Sequence, residues 1–222
     1  MSVLADPELE SLLDGLHARS DAQAAAMRAF EARRATDPTT EDEVRAFRRD
    51  KLVALDRDKA EFCYQLCRAS QARRIVEIGT SFGVSTLYLA AAVRDNVRAG
   101  GGDGMVIGTE YEPAKAAVAR ANFARAGLSG LIDLREGDLR ETLKQIDGAL
   151  DFVLVDIWIA LARPALTLVT PHLKPGAIVI CDNTARYRSD YADYFTFLDA
   201  SGFRTMTLPF EGGLEFSVRC PS

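Results

Sequence analysis

The sequence predicts an α/β fold: a seven-stranded, mostly parallel, Rossmann-like sheet with helices on both faces, an antiparallel hairpin at its C-terminal edge and a helical extension in front. Three observations predict it. From Arg74 onward, short β-branched runs alternate with alanine-rich helical stretches, the pattern of βαβ units on a parallel sheet. The first 70 residues show helical periodicity and no strand pattern. The last two β-rich runs are separated by a turn through Glu211, Gly212 and Gly213, too short for a parallel crossover.

The N-terminal elements come first. Over residues 7–16, Leu9, Leu12, Leu13 and Leu16 share one helical stripe, and a second helical stretch runs through Ala24, Met27 and Phe30. Asp37 and Pro38 break that pattern. Thr40 with Glu43 three residues on is a capping box, opening a charged helix that extends to about Leu55 and buries Val44, Phe47 and Leu52. A helix over residues 57–70 puts Ala60, Cys63 and Cys67 on one side, with Phe62 and Leu66 beside them.

The strands follow at residues 74–78, 105–110, 132–136, 150–156 and 177–181, then 204–208 and 214–219 as the hairpin. The glycine-rich stretch from Gly100 to Gly104 reads as a mobile loop between a helix and the second strand. A chain of 222 residues suits one α/β domain, with residues 1–70 a helical cap on the domain formed by 71–222.

Composition excludes several classes. With 48% hydrophobic and 27% charged residues the chain is globular, and its apolar runs fall far short of the roughly 20 residues of a membrane span. Asp6, Glu8, Glu10 and Asp14, with no early basic cluster, do not read as a secretory or import signal, so a cytoplasmic protein is expected. The net charge of −5 and the lack of a basic, aromatic surface disfavour nucleic acid. Cys63, Cys67, Cys181 and Cys220 fit neither a disulfide framework nor a zinc site. The edge hairpin and the N-terminal helices are surfaces through which a homodimer could form.

The chemistry concentrates in the loops that follow the strands. The first strand ends Val76, Glu77, Ile78, Gly79 and passes through Thr80, Ser81, Phe82 and Gly83 into a helix, placing backbone amides and a glycine turn at the carboxyl edge where open α/β sheets bind ligands. The spacing from Gly79 to Gly83 is G-x-x-x-G and not the G-x-G-x-x-G of a dinucleotide pyrophosphate site. An acidic Glu77 repels a diphosphate and suits an ammonium, and S-adenosylmethionine carries an ammonium and a sulfonium without a phosphate. Glu110, ending the second strand, can accept both ribose hydroxyls. Asp138 can accept from an adenine amine while Leu139 packs on the ring. Each has a plainer alternative: a turn, a strand-end acid in water, or a helix cap.

This order of motifs resembles the class I methyltransferases, and within them the catechol and caffeoyl-coenzyme A type O-methyltransferases. The matching residues are VEIGTSFGVST at 76–86, TEYEP at 109–113, EGD at 136–138, LVDIW at 154–158 and CDN at 181–183. The resemblance implies that Glu77, Gly79, Ser81 and Ser85 hold the methionine moiety and that Trp158 packs by the adenine. It implies a divalent ion, Mg²⁺ or a similarly hard cation, on Asp156, Asp182 and Asn183, with Asp156 catalytic. Such an ion would acidify the hydroxyl of a small-molecule acceptor.

One departure stands out. The family has a lysine three residues after the first metal acid, and here that place is Ile159. No base is assigned. His17 and His172 are poor candidates, and Arg186, Tyr187, Arg188, Tyr191 and Tyr194 either wall the acceptor pocket or lie on a surface helix. The competing readings are a metal-independent methyltransferase, a nicotinamide-dependent oxidoreductase using Glu110 on its ribose, and a cofactor-binding protein without catalysis. The 33-residue interval from Glu77 to Glu110, against roughly 20 in the dinucleotide fingerprint, disfavours the oxidoreductase.

Overall fold

The computed structural model describes residues 3–37 and 39–221, so the predicted break at Pro38 lies outside the described residues. Four helices lead the chain: α1 (Pro7–Asp21), α2 (Ala24–Arg34), α3 (Glu41–Arg48) and α4 (Arg57–Ala69). Asp6 caps α1 by accepting from the Leu9 amide at 3.1 Å, and Leu9, Leu12, Leu13 and Leu16 are buried on the predicted stripe. α1 runs five residues beyond the predicted end at 16.

The capping box at Thr40 and Glu43 is present, with both reciprocal bonds made. The helix it opens ends at Arg48, not near Leu55. Side chains at the α1–α2 junction supply the reason. The Gln23 amide donates to the Leu52 carbonyl at 3.2 Å and accepts from its N–H at 3.1 Å, and Ser20 Oγ accepts from the Ala54 N–H at 3.1 Å. With the Leu52 N–H and carbonyl and the Ala54 N–H taken by these partners, residues 51–56 form a non-helical strap, and Leu52 and Leu55 point into the core.

The sheet comprises β1 (Arg74–Ile78), β2 (Met105–Glu110), β3 (Ile132–Glu136), β4 (Leu150–Val155), β5 (Leu173–Asp182), β6 (Phe203–Leu208) and β7 (Leu214–Arg219), ordered β3-β2-β1-β4-β5-β7-β6. The first five are parallel, and β7 lies antiparallel between β5 and the edge strand β6. β4 stops one residue before the predicted Asp156, and β6 starts one residue early, at Phe203. β5 begins at Leu173 and not at Ala177: Lys174, Pro175 and Gly176 are exposed and break the apolar pattern, while pairing continues past an irregularity between Leu150 and Phe152.

Helices α5 (Val84–Gly100), α6 (Pro113–Arg125), α7 (Leu139–Thr142), α8 (Ile159–Val169) and α9 (Ala192–Ala200) complete the architecture. Because side chains alternate along a strand, neighbouring residues feed different cores. Ile75, Phe152, Leu154 and Ile180 pack with α5 and with Leu9, Leu13, Leu52 and Leu55 of the N-terminal segment. Val76, Ile78, Val153, Val155 and Val179 pack with Leu166 of α8 and Leu198 of α9. Tyr191 and Tyr194 belong to this second core, which removes them as walls of an acceptor pocket. The predicted glycine-rich loop is partly absorbed: α5 extends to Gly100, and Arg73 donates to the Gly101 carbonyl at 2.6 Å.

Chain order reverses beside β1, which has β2 on one side and β4 on the other. The crevice of such a sheet opens there, at the carboxyl ends of β1 and β4.

Candidate active site

The loop from Gly79 to Gly83 carries three residues in the left-handed region, Gly79 at φ 100°, Ser81 at 50° and Gly83 at 83°. The glycines are also required sterically. A Cβ on Gly79 would stand 2.0 Å from the Asp156 carbonyl oxygen, and one on Gly83 would stand 2.4 Å from the Phe123 ring. The close approach at Gly79 is continuous with sheet pairing, since the Asp156 N–H donates to the Ile78 carbonyl at 3.0 Å. It is what sets the cofactor-type loop against the end of β4.

Glu77 lies beneath this loop, fully buried. Its Oε2 accepts from the Thr80 hydroxyl at 3.0 Å and from the Thr86 hydroxyl, which reaches back from the first turn of α5. Burial raises its pKa, and the hydroxyls of Ser85, Thr86 and Thr80 oppose the rise. Among the described residues no hydrogen-bond partner meets its Oε1. A buried carboxylate oxygen without a donor is costly, and an ammonium group would satisfy it. Ser85 is buried at the start of α5.

Glu110 turns toward the same loop, accepting from the Ser81 N–H and the Glu112 N–H, each at 2.7 Å. Asp138 caps α7 and is bound by Arg140 through its backbone N–H at 2.9 Å and its guanidinium at 2.6 Å. Those bonds hold its carboxyl at about 2. Leu139 is buried in the second core. Trp158 is 47% exposed, and the Arg48 guanidinium sits 5.0 Å from its ring centroid.

The strap crosses this site. Leu52, Ala54 and Leu55 face Gly79, Ser81, Ser85 and Asp156 across a cavity of only about 10 Å³. A larger cleft of about 340 Å³, among Asp14, His17, Asp56 and Arg57 between α1 and the start of α4, includes no residue of the glycine loop. His17 belongs to that region and bonds the Tyr88 hydroxyl at 3.2 Å, a packing role.

At the ends of β4 and β5 the structure assembles Asp156, Asp182 and a residue the motif reading missed, Lys59. Lys59 is 1% exposed on α4, and its Nζ lies 2.8 Å from Asp182 Oδ1 and 2.8 Å from Asp56 Oδ2. Asp182 Oδ2 accepts from the Asn183 side-chain amide at 2.5 Å. Burial, then the neighbouring carboxylates Asp182 and Glu77, push Asp156 well above the usual carboxylate range. Burial also raises Asp182, with Lys59 opposing. Burial alone would lower Lys59, but Asp182 and Asp56 outweigh it and hold the amine as an ammonium.

This arrangement bears on the divalent ion expected at Asp156, Asp182 and Asn183. A hard cation needs open oxygens. Here one oxygen of Asp182 faces an ammonium, the other faces an amide N–H, and the Asn183 Oδ1 is on the Gly212 side, where a Cβ added to Gly212 would come within 2.5 Å of it. The donor set as built does not fit the ion.

Sequence and structure comparisons both return methyltransferases. Residues 76–184 match the family model described as a methyltransferase domain. A catechol O-methyltransferase of Mycobacterium tuberculosis is 34% identical over 139 residues, covering 60% of this chain and 58% of that protein. One from Niastella koreensis is 30% identical over 142 residues, covering 60% and 59%. The chain therefore spans less than two thirds of the length of these relatives. Among solved structures, an O-methyltransferase from Bacillus cereus in complex with SAH aligns with a TM-score of 0.70 at 20% identity, covering 96% of this chain and 91% of that one. The O-methyltransferase TomG from Streptomyces achromogenes, in complex with SAM, aligns at 0.66 and 24% identity, covering 76% and 82%. At these identities the structural matches speak for the fold. Among the described residues, no helix is long and apolar enough to cross a membrane.

Proposed function

From the match of residues 76–184 to a methyltransferase domain, we propose that the chain is a class I S-adenosylmethionine-dependent methyltransferase and transfers the methyl group of S-adenosylmethionine to a hydroxyl oxygen of a small molecule. The observation that carries this reading is Glu77: a buried carboxylate under a G-x-x-x-G loop, one oxygen fixed by two threonine hydroxyls and the other, among the described residues, with no well-formed hydrogen bond, the Ser85 hydroxyl standing near the carboxylate. That oxygen suits the cofactor's ammonium, and the loop's lack of a pyrophosphate fingerprint separates it from a nicotinamide site.

Gly79, Ser81, Gly83 and Ser85 would line the methionine end, and Glu110 the ribose. Its carboxylate retains acceptor capacity beyond its two backbone bonds. Asp138, Leu139 and Trp158 would border the adenine. Because the space between strap and loop holds no more than about one water, cofactor entry in this reading requires residues 52–55 to lift away.

In the reaction, the acceptor oxygen forms a bond to the methyl carbon as the carbon–sulfur bond breaks in line, leaving a neutral thioether, and the hydroxyl proton is released. The protein's part is to align oxygen, carbon and sulfur and to present charge suited to the reacting groups. Asp156, beside Gly79, is the acid proposed to border the transferring methyl. Mg²⁺ or a similar ion on Asp156, Asp182 and Asn183 would supply Lewis-acid activation of the hydroxyl, but the donor set does not fit it, and no step is assigned to it. The names of the two curated relatives point to catechols as the first acceptors to try. A cytoplasmic location and a homodimer through the edge hairpin and the N-terminal helices complete the proposal.

The test is incubation with methyl-labelled S-adenosylmethionine and a panel of catechols, phenols and hydroxylated aliphatic molecules. Label should appear on an acceptor oxygen in wild type and fall at least tenfold in Glu77→Ala. Equal labelling of oxygen acceptors by both proteins contradicts the role given to Glu77.

A further inference from the structure

We propose that the ammonium of Lys59 is the resident cation of this site: it occupies the position at Asp182 that a divalent ion would need, and makes the protein independent of metal. The inference rests on the methyltransferase reading for its function but on separate residues for its geometry.

Lys59 is a long, flexible side chain that is nevertheless buried, with its Nζ 2.8 Å from Asp182 Oδ1. An ammonium is not buried without compensation, and this one joins elements 123 residues apart in sequence. It reaches from α4, in the N-terminal segment, to the last residue of β5 at the carboxyl edge of the sheet. The half-exposed Asp56, one turn before it, supplies the second carboxylate at 2.8 Å. Two of its three N–H donors are thereby used, which leaves capacity for an acceptor oxygen arriving at that edge.

A divalent ion on Asp182 Oδ1 would have to share an oxygen with this ammonium, and two cations on one carboxylate oxygen repel. An ion on Oδ2 would have to displace the Asn183 amide N–H, 2.5 Å away. The same logic accounts for Ile159. A site whose positive charge arrives from α4 has no need of a lysine on α8, and Ile159 begins α8 as a half-buried apolar residue. The Lys59 charge also partly neutralises an edge that holds Glu77, Asp156 and Asp182 together.

The experiment is Mn²⁺ binding followed by electron paramagnetic resonance, with S-adenosylhomocysteine present, on wild type and on Lys59→Met. Methionine keeps the length and volume of the stem and removes the charge. The expected result is no stoichiometric Mn²⁺ on wild type, with affinity rising at least tenfold in Lys59→Met. Labelled methyl transfer by wild type should be unchanged by chelator. One Mn²⁺ per wild-type chain overturns the proposal, as does loss of transfer on chelation.

So does a folded Lys59→Met, and a folded Lys59→Gln beside it, that bind no more Mn²⁺ than wild type. If neither variant folds, the wild-type arm decides alone. No Mn²⁺ with chelator-insensitive transfer supports the proposal, and bound Mn²⁺ refutes it. Thermal stabilisation by S-adenosylhomocysteine is read in parallel. Its absence would sink the methyltransferase reading while the Mn²⁺ result still decides the cation.

Discussion

The two halves of the site are built differently. The half proposed for the cofactor, from β1 through the start of α5, is local: Glu77 takes its hydroxyls from Thr80 and Thr86, three and nine residues away. The half at the ends of β4 and β5 is assembled at long range, with Asp182 held by Lys59 from 123 residues away. A local site fails through its backbone geometry. A long-range site fails through its charges.

The largest effect is expected in the local half. Gly79→Ala introduces a Cβ 2.0 Å from the Asp156 carbonyl oxygen at a φ of 100°, so β1 and β4 must part at their carboxyl ends. Steric overlap and backbone strain together should cost about 3 kcal/mol or more in urea denaturation, and S-adenosylhomocysteine should no longer stabilise the variant. A variant as stable as wild type that still binds would show that the close approach is not required.

In the other half, Asp182→Ala leaves Lys59 buried with, among the described residues, only the half-exposed Asp56 as its ion-pair partner. Breaking a buried pair costs about 3 kcal/mol. Asp56→Ala removes a half-exposed partner and should cost about 1 kcal/mol or less. The ratio of the two, measured by the same urea midpoints, sharpens the comparison. Equal costs would mean that Lys59 does not depend on Asp182.

The same division governs what could be read from the sequence. β1, β2, β3 and β7 fall at their predicted bounds because apolar alternation and turn residues are local signals. The glycine loop was legible for the same reason, since acid, glycines and hydroxyls lie within one short motif. The strap was not, because Thr40 and Glu43 announce a helix start while its end depends on Gln23 and Ser20, residues from another helix.

Lys59 was the buried charge at the ends of β4 and β5 that motif reading missed. A signal for it did exist: it precedes Ala60 and lies four residues before Cys63, on the stripe that α4 buries. A lysine on a buried stripe requires a carboxylate somewhere, but the stripe does not say which one. Asp182 was singled out for a metal because a motif match carries over the family's ligands and cannot register a side chain arriving from outside the motif.

The most direct test of the account is thermal unfolding of the wild-type protein with S-adenosylhomocysteine and, separately, with NAD. At about 100 times its dissociation constant a ligand that binds only the folded state adds ~2.7 kcal/mol. For a chain of this size that raises Tm by about 5–10 °C. The account predicts a rise of that order with S-adenosylhomocysteine and none with NAD. A rise with NAD and none with S-adenosylhomocysteine would contradict it.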